Sequence, residues 1–145
     1  MVETAGITPA TEGLDGVVWN ILGHTLWPKQ ATADSFAFES LSPPGSFVPP
    51  HIHPLQDEYI LMLEGTLKLV LDGQEHWARP GDLVRLPRGI MHGFFNEGGM
   101  PARTFFWVSP ARRLHDLFRA IDGVADPAEV VRLSALHEVE FLPPG

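Results

Sequence analysis

The sequence contains no cysteine. Disulfide frameworks and thiolate metal sites are therefore excluded, and any metal ion would have to bind to histidine, carboxylate or water. Basic residues are also few, with 10 Lys and Arg against 18 Asp and Glu and a formal net charge of −8. This balance argues against binding to the phosphate backbone of nucleic acid, which needs clustered positive charge.

The sequence also lacks long apolar runs. The longest, such as residues 59–63, are far too short to span a bilayer, so we expect no interaction with a membrane. Residues 1–16 carry neither a basic patch nor an apolar stretch and do not look like a secretory signal. These observations predict a cytoplasmic protein.

Glycine and proline are abundant, at 14 each among 145 residues, which suits many tight turns between short strands. The Asp72-Gly73 pair lies between two alternating segments and predicts a β-hairpin. Strands this short and this closely spaced predict an all-β fold, an antiparallel sandwich or barrel. We predict strands at residues 17–22, 35–41, 57–63, 66–71, 74–78, 82–86, 91–96 and 102–108.

The periodicity changes from strand to helix after residue 108. Ser109-Pro110 has the pattern of a helix N-cap followed by proline at the first helical position. An amphipathic stripe follows it, and Gly123 is placed to end that helix. Asp126 predicts the start of a second helix. The stripe consists of Leu114, Leu117, Phe118 and Ile121.

These patterns divide the chain into three parts. Residues 1–16 are predicted to form a flexible arm, and residues 17–108 the β-barrel. Residues 109–145 are predicted to form a helical segment and tail that pack on the barrel, with residues 139–142 as an added edge strand. The helical segment is most simply a packing element; a lid over the barrel mouth is the alternative.

Three histidines and one acid form the candidate chemical site. His51 and His53 are two residues apart, so on a strand their side chains share one face. Glu58 lies at an odd offset from them, and a bend near Pro54 is needed to return it to that face. His92 lies on a later strand and can join the group only through tertiary folding.

Three imidazoles and one carboxylate are ligands of intermediate softness. They suit one divalent transition metal ion, with Fe, Mn or Ni first and Zn, Co or Cu as alternatives. Four protein ligands in an octahedral field would leave two positions open. An open position is typical of a catalytic rather than a structural metal site.

The residues around this group resemble both motifs of the cupin superfamily. The first covers residues 45–65 (GSFVPPHIHPLQDEYILMLEG) and the second residues 81–96 (GDLVRLPRGIMHGFFN), with 15 residues between them as in microbial single-domain members. The resemblance implies a jelly-roll barrel with the metal inside. It also implies a homodimer and a small-molecule substrate. The implied metal ligands are His51, His53, Glu58 and His92.

A set of large apolar residues could line a substrate pocket in such a barrel. Taken singly, each is better explained as core packing, but together they predict an apolar cavity. Two polar residues are candidates to support the metal ligands. Gln56 is more simply a loop residue, with orientation of Glu58 as the alternative, and Asn96 is either a partner of the metal site or a strand-end residue. The pocket candidates are Phe36, Phe38, Phe47, Met62, Phe94 and Phe106.

The resemblance leaves the reaction open, because one fold serves many functions. The first hypothesis is an oxygenase similar to the quercetinase-like monocupins, with Glu58 as both metal ligand and proton acceptor. The second is a polyketide cyclase or isomerase in which the metal acts as a Lewis acid. The third is a small-molecule-binding module without catalysis.

Overall fold

The computed structural model describes residues 3–142. Within that stretch the chain forms two antiparallel sheets that pack face to face, which confirms the predicted jelly-roll barrel. One sheet has six strands in the order β1-β2-β3-β10-β5-β8, and the other has five in the order β11-β4-β9-β6-β7. The strands are β1 (Trp19–Ile21), β2 (His24–Ala31), β3 (Phe36–Ser42), β4 (Phe47–Ile52), β5 (Asp57–Glu64), β6 (Leu67–Leu71), β7 (Gln74–Ala78), β8 (Leu83–Leu86), β9 (His92–Phe95), β10 (Ala102–Ser109) and β11 (Glu140–Phe141).

The core lies between the sheets, because alternate residues of each strand point inward. In β5 the residues at every second position are buried while the intervening ones are partly exposed. Tyr59 is one of the outward residues, and it stacks on Trp107 of β10 with ring centroids 5.1 Å apart. The largest wholly buried apolar side chains are Phe36, Ile60, Met62, Leu67, Leu69, Leu86 and Val108.

The sequence analysis missed two strands, β2 and β4, and both contain proline. Proline lacks an N–H and is confined to strand edges or bulges. In both strands the register with the neighbouring strand shifts beside the proline, between Pro28 and Gln30 in β2 and between Val48 and His51 in β4. A bulge therefore absorbs each proline, and the strand continues beyond it.

Gly93 allows β4 to lie close to β9. A side chain at this position would place its Cβ 2.9 Å from both Val48 O and Pro50 N, which is closer than such atoms approach. His51 of β4 and His92 of β9 are directly paired at this point. The glycine therefore lets two of the candidate ligands face each other.

Two helices follow the barrel, α1 (Leu114–Ile121) and α2 (Pro127–Leu136). The predicted start of α1 at Ser109-Pro110 is wrong: Ser109 still pairs with Asp57 as the last residue of β10, and its hydroxyl donates to Asp34 O. The helix instead begins after Arg113 without a side-chain cap. The start of α2 is confirmed, since the Asp126 carboxylate accepts from Ala128 N.

The two helices form a hairpin that is fixed at both ends. At its base, Arg112 makes two hydrogen bonds to the Glu138 carboxylate, at 2.8 and 3.0 Å. At its tip, Asn20 of β1 donates to the Asp122 carboxylate and accepts from Gly123 N. Arg112 and Glu138 thus join the two ends of the hairpin to each other, and Asn20 attaches its tip to the barrel. Among residues 3–142, no helix is long and apolar enough to cross a membrane.

The segments at the two ends contact the barrel of the same chain. Residues 8–12 lie along β2 and β3, where Thr11 N donates to the buried carboxylate of Glu39 at 2.8 Å. Glu39 also pairs with Lys29 at 3.1 Å and Arg103 at 2.8 Å. At the other end, the tail strand β11 adds to β4 in cis.

Candidate metal centre

The four candidate residues meet inside the barrel near one end. His51 lies on β4, His53 directly after it, Glu58 on β5 and His92 on β9. All four are at least nine-tenths buried, with relative exposures between 2% and 6%. One nitrogen from each histidine lies within 4.8 Å of the other two. Three buried histidines so arranged could bind a metal ion.

A turn between β4 and β5 brings Glu58 to the histidines. The chain leaves the five-stranded sheet after Ile52, turns at Pro54-Leu55 and enters the six-stranded sheet at Asp57. Glu58 then points inward as the second residue of β5. The odd offset from His53 is therefore resolved because the two residues lie on different sheets.

Hydrogen bonds fix the orientation of the three imidazoles. His51 Nδ1 lies 2.8 Å from Pro49 O, and His92 Nδ1 lies 3.2 Å from Ile90 O. A carbonyl oxygen can only accept, so each Nδ1 carries the proton and donates it. When the ring is neutral, Nε2 is then the atom with a free lone pair, as a metal ligand requires.

Gln56 fixes His53 in the same way and ties it to the helical segment. His53 Nδ1 lies 3.0 Å from the Gln56 side-chain oxygen. The amide nitrogen of Gln56 donates to two carbonyl oxygens, Pro110 O at 3.1 Å and Ala111 O at 2.7 Å. These two acceptors determine which end of the amide is oxygen. Gln56 therefore orients His53, rather than Glu58.

The contact between His92 and Glu58 needs a positive charge. His92 Nε2 lies 2.9 Å from one Glu58 oxygen, while His53 Nε2 lies 3.8 Å from the other. Besides this carboxylate contact, the buried His92 Nε2 has no hydrogen-bond partner in the described part of the chain. A buried lone pair and a carboxylate this close repel one another unless a proton or a metal ion lies with them. Burial lowers the pKa of His92, but the adjacent Glu58 carboxylate outweighs burial and raises it, so a proton can occupy this contact when no metal is bound. The donor set therefore fits a divalent metal ion.

The electrostatics of the site keep Glu58 ionised. Burial alone would raise the pKa of Glu58, but the imidazoles of His53, His92 and His51 outweigh burial and lower its pKa to about 2. Burial lowers the pKa of His51 well below its usual value, and the neighbouring histidines act in the same direction. Metal binding requires a free lone pair on each ligating nitrogen, so a metal ion would displace a proton held between His92 and Glu58.

An apolar cavity of about 160 Å³ opens onto this site. His51, His53 and Glu58 contribute to its wall, and most of the remaining wall is apolar. None of the described residues that line it is Lys or Arg. The apolar wall residues are Ile21, Leu22, Leu26, Phe38, Phe47, Val48, Pro49, Phe94, Phe106, Leu114, Leu117, Phe118, Ile121, Pro127, Val130, Val131, Val139 and Phe141.

The structure divides the predicted pocket residues into two groups. Four of them line the cavity, namely Phe38, Phe47, Phe94 and Phe106. The other two, Phe36 and Met62, are not among the lining residues and lie in the core with relative exposures of 0% and 1%. They point inward as predicted, but towards the packed centre of the barrel.

Asn96 lies away from the metal site. Its amide donates to Ser42 O and Met100 O, and its side-chain oxygen accepts from Gly98 N. It therefore holds the loop between β9 and β10. His24 does line the cavity, but both its ring nitrogens are occupied, by the Ser42 hydroxyl and Phe47 O.

The sequence analysis did not identify the helical segment as part of the cavity. The stripe at Leu114, Leu117, Phe118 and Ile121 was evident in the sequence, and all four residues line the cavity wall. Phe141 of β11 also lines it and lies 5.0 Å from the His51 ring. The helical periodicity identified the buried face, but it could not show that this face borders a cavity.

Comparison with known proteins identifies the family of this barrel. Residues 38–109 match the Cupin_2 family model, described as a cupin domain. Protein SchB of Streptomyces halstedii is 31% identical over 93 residues, covering 63% of this chain and 67% of SchB. The chain belongs to the cupin family.

Two further relatives are matched over shorter lengths. The tetracenomycin polyketide synthase protein TcmJ of Streptomyces glaucescens is 36% identical over 67 residues, 46% of this cupin and 45% of TcmJ. Quercetin 2,3-dioxygenase of Bacillus subtilis is 36% identical over 66 residues, 45% of this cupin and 20% of that enzyme. This cupin therefore spans less than half the length of either protein.

A solved structure shows the same fold. The structure of KdgF from Halomonas sp. superposes with a TM-score of 0.67 and covers 75% of this cupin and 96% of KdgF. The two sequences are 21% identical, so the likeness concerns the fold alone.

Proposed function

We propose that this cupin is a metal-dependent oxygenase, similar to the quercetinase-like dioxygenases, for a small apolar or aromatic substrate with a hydroxyl group. The observation that carries the proposal is the apolar cavity that opens directly onto His51, His53 and Glu58. A polar or phosphorylated substrate would find no cationic partner among the described wall residues. An aromatic ring would bury its surface against phenylalanine and leucine side chains.

His51, His53, Glu58 and His92 would hold one divalent ion. Such an ion polarises a bound substrate oxygen and makes a hydroxyl group on it more acidic. Glu58 is ionised and lines the cavity, so it can accept that proton. Gln56 keeps the His53 ring in place while this happens.

The wall contributes by excluding water. The helix pair and β11 cover the cavity with apolar side chains, which strengthens electrostatic interactions inside it. Dioxygen is itself apolar and would find this interior a better solvent than water. A dry interior next to an ionised base is therefore consistent with oxygenation of a phenolic or enolic substrate.

Cyclisation by a Lewis-acid metal is the second candidate, with isomerisation in the same class. The relative TcmJ is named as a polyketide synthase protein, and this similarity favours the second candidate. Both reactions would use the same ligands and the same apolar wall. They differ in whether dioxygen is consumed.

The test is an oxygen-electrode assay of the purified protein after its metal content has been measured by elemental analysis. A panel of polyphenols and polyketide-derived phenols would be supplied in air and under nitrogen. Oxygen uptake that matches substrate loss supports the oxygenase. Product formed equally under nitrogen supports the cyclase or isomerase, and saturable binding without turnover supports a binding module.

A further inference from the structure

The cavity meets the surface at an apolar rim, which we define as Leu22, Phe47, Pro49, Pro127 and Val131. All five line the cavity and are also exposed. For example, Leu22 is 41%, Phe47 55% and Val131 42% exposed. They come from the β1–β2 turn, from β4 and from α2, so three separate segments surround the opening. The mouth of the cavity is thus as apolar as its interior.

The cavity itself has room for about one aromatic ring. Its volume is about 160 Å³, and a cavity of roughly 150 Å³ in another protein is known to hold benzene. The helix pair is held to the barrel at its base by Gln56 and at its tip by Asn20, which holds the cavity wall in place. A ligand with more than one ring would therefore extend through the mouth and contact the rim.

Leu22 occupies a backbone position that leucine avoids. It is the first residue of the two-residue turn between β1 and β2, with φ +46° for Leu22 and +90° for Gly23. Turns of this kind favour Asn-Gly, because asparagine and glycine tolerate positive φ and branched apolar residues do not. Strained residues of this kind cluster at ligand-binding sites. The leucine side chain is only partly buried in the free protein, with 41% of it exposed at the rim, so packing offsets this strain incompletely.

From this geometry, and resting on the proposed function, we infer the shape of the substrate. It has one hydroxylated ring within the cavity and a second apolar group, a further ring or a chain, that lies against the rim. Leu22 and Val131 would then determine specificity for the outer part of the substrate without contacting the reacting atoms. Binding of an inner ring alone would depend on them much less, because they lie at the exposed end of the cavity wall.

The experiment compares the affinities of phenol and 4-phenylphenol by calorimetric titration of the purified, metal-analysed protein. The variants are Leu22→Asn, which suits the positive φ, and Val131→Ala. The matched control is Leu83→Asn, because Leu83 has a similar exposure of 44% and lies on β8, at the opposite edge of the sheet from β1. Thermal melts establish that each variant is folded, and Leu22→Asn is expected to melt no lower than the wild type.

We expect wild type to bind 4-phenylphenol at least about tenfold more tightly than phenol. Each rim variant should weaken the binding of 4-phenylphenol by about threefold. The affinity of the rim variants for phenol should change by less than about twofold, and the control variant should bind both ligands as tightly as wild type does. Equal weakening of both ligands, or no effect of the rim variants on 4-phenylphenol, would overturn the inference while leaving the proposed function standing. If the folded wild type binds neither phenol, both the inference and the proposed class of substrate fail.

Discussion

Replacing Gln56 should weaken the metal site and the attachment of the helical segment together. Gln56 is 3% exposed and makes three hydrogen bonds, one to His53 and one each to Pro110 O and Ala111 O. Gln56→Met keeps the length of the side chain but removes all three. Because the partners stay buried, each would lose a hydrogen bond that contributes about 1 kcal/mol. We therefore expect a loss of about 3 kcal/mol in the free energy of unfolding.

Two measurements test this expectation. Thermal unfolding of chelator-treated protein removes the contribution of bound metal, and a loss of ~3 kcal/mol corresponds to a drop in Tm of roughly 6–12 °C for a chain of this size. Metal titration of the folded variant measures affinity, and loss of a hydrogen bond to a ligating histidine typically weakens binding by about 10- to 100-fold.

A second variant separates the two roles of this residue. Gln56→Glu can still accept the hydrogen bond from His53, but it presents a carboxylate oxygen to the two carbonyl groups. It should therefore lose stability like Gln56→Met and keep more of the metal affinity. Wild-type metal affinity in Gln56→Met would refute the idea that this amide orients His53. An unchanged Tm of the metal-free protein would refute its role in fixing the helical segment.

Four further predictions follow from the site, from the outer face of the barrel and from the expected assembly. His92→Ala should lower the metal content sharply, whereas replacing the exposed His76 should not; elemental analysis of both variants is the check. Glu58→Gln should keep a substantial part of the metal and lose most turnover, and a parallel fall of both would mean that Glu58 only holds the ion. Burial opposes ionisation of Glu39, but Arg103, Thr11 N and Lys29 outweigh burial and lower its pKa below 4.5. The ionised Glu39 carboxylate therefore stabilises the fold fully above pH 4.5, and this stabilisation is lost as the pH falls further. In acid titrations of unfolding, wild type should lose more stability than Glu39→Gln. The predicted homodimer should give twice the 16.0 kDa chain mass by light scattering, and a monomer mass at high concentration would contradict it.

The sequence was sufficient to predict the barrel and the four candidate ligands because their signals are local or fixed in spacing. The Asp72-Gly73 turn shows the positive φ angles that its sequence demands, +50° and +84°. His51 and His53 needed only the period of a strand to share a face. The inclusion of His92 among the candidate ligands followed from the motif resemblance, since no local pattern joins residues so far apart.

The remaining features depend on tertiary contacts that periodicity does not report. Strand β4 was missed because Pro49-Pro50 reads as a loop, while a bulge in the sheet accommodates it. The start of α1 was misplaced because the strand β10 holds Ser109. The link from Gln56 to Ala111 spans 55 residues and has no signature in the sequence.

The candidate metal ligands and much of the cavity wall come from different segments of the chain. Most metal-site residues come from β4, β5 and β9, whereas much of the apolar wall comes from residues 114–141, which the ligand-bearing strands do not include. A mutation in the helix pair can therefore reshape what the cavity accepts without altering the ligands of the metal. A library confined to wall positions such as Leu117, Ile121 and Val130 should yield altered substrate preference among variants with intact metal loading. Apart from the link through Gln56, the two properties can change separately, which makes the helix pair the natural place to start in redesigning this protein.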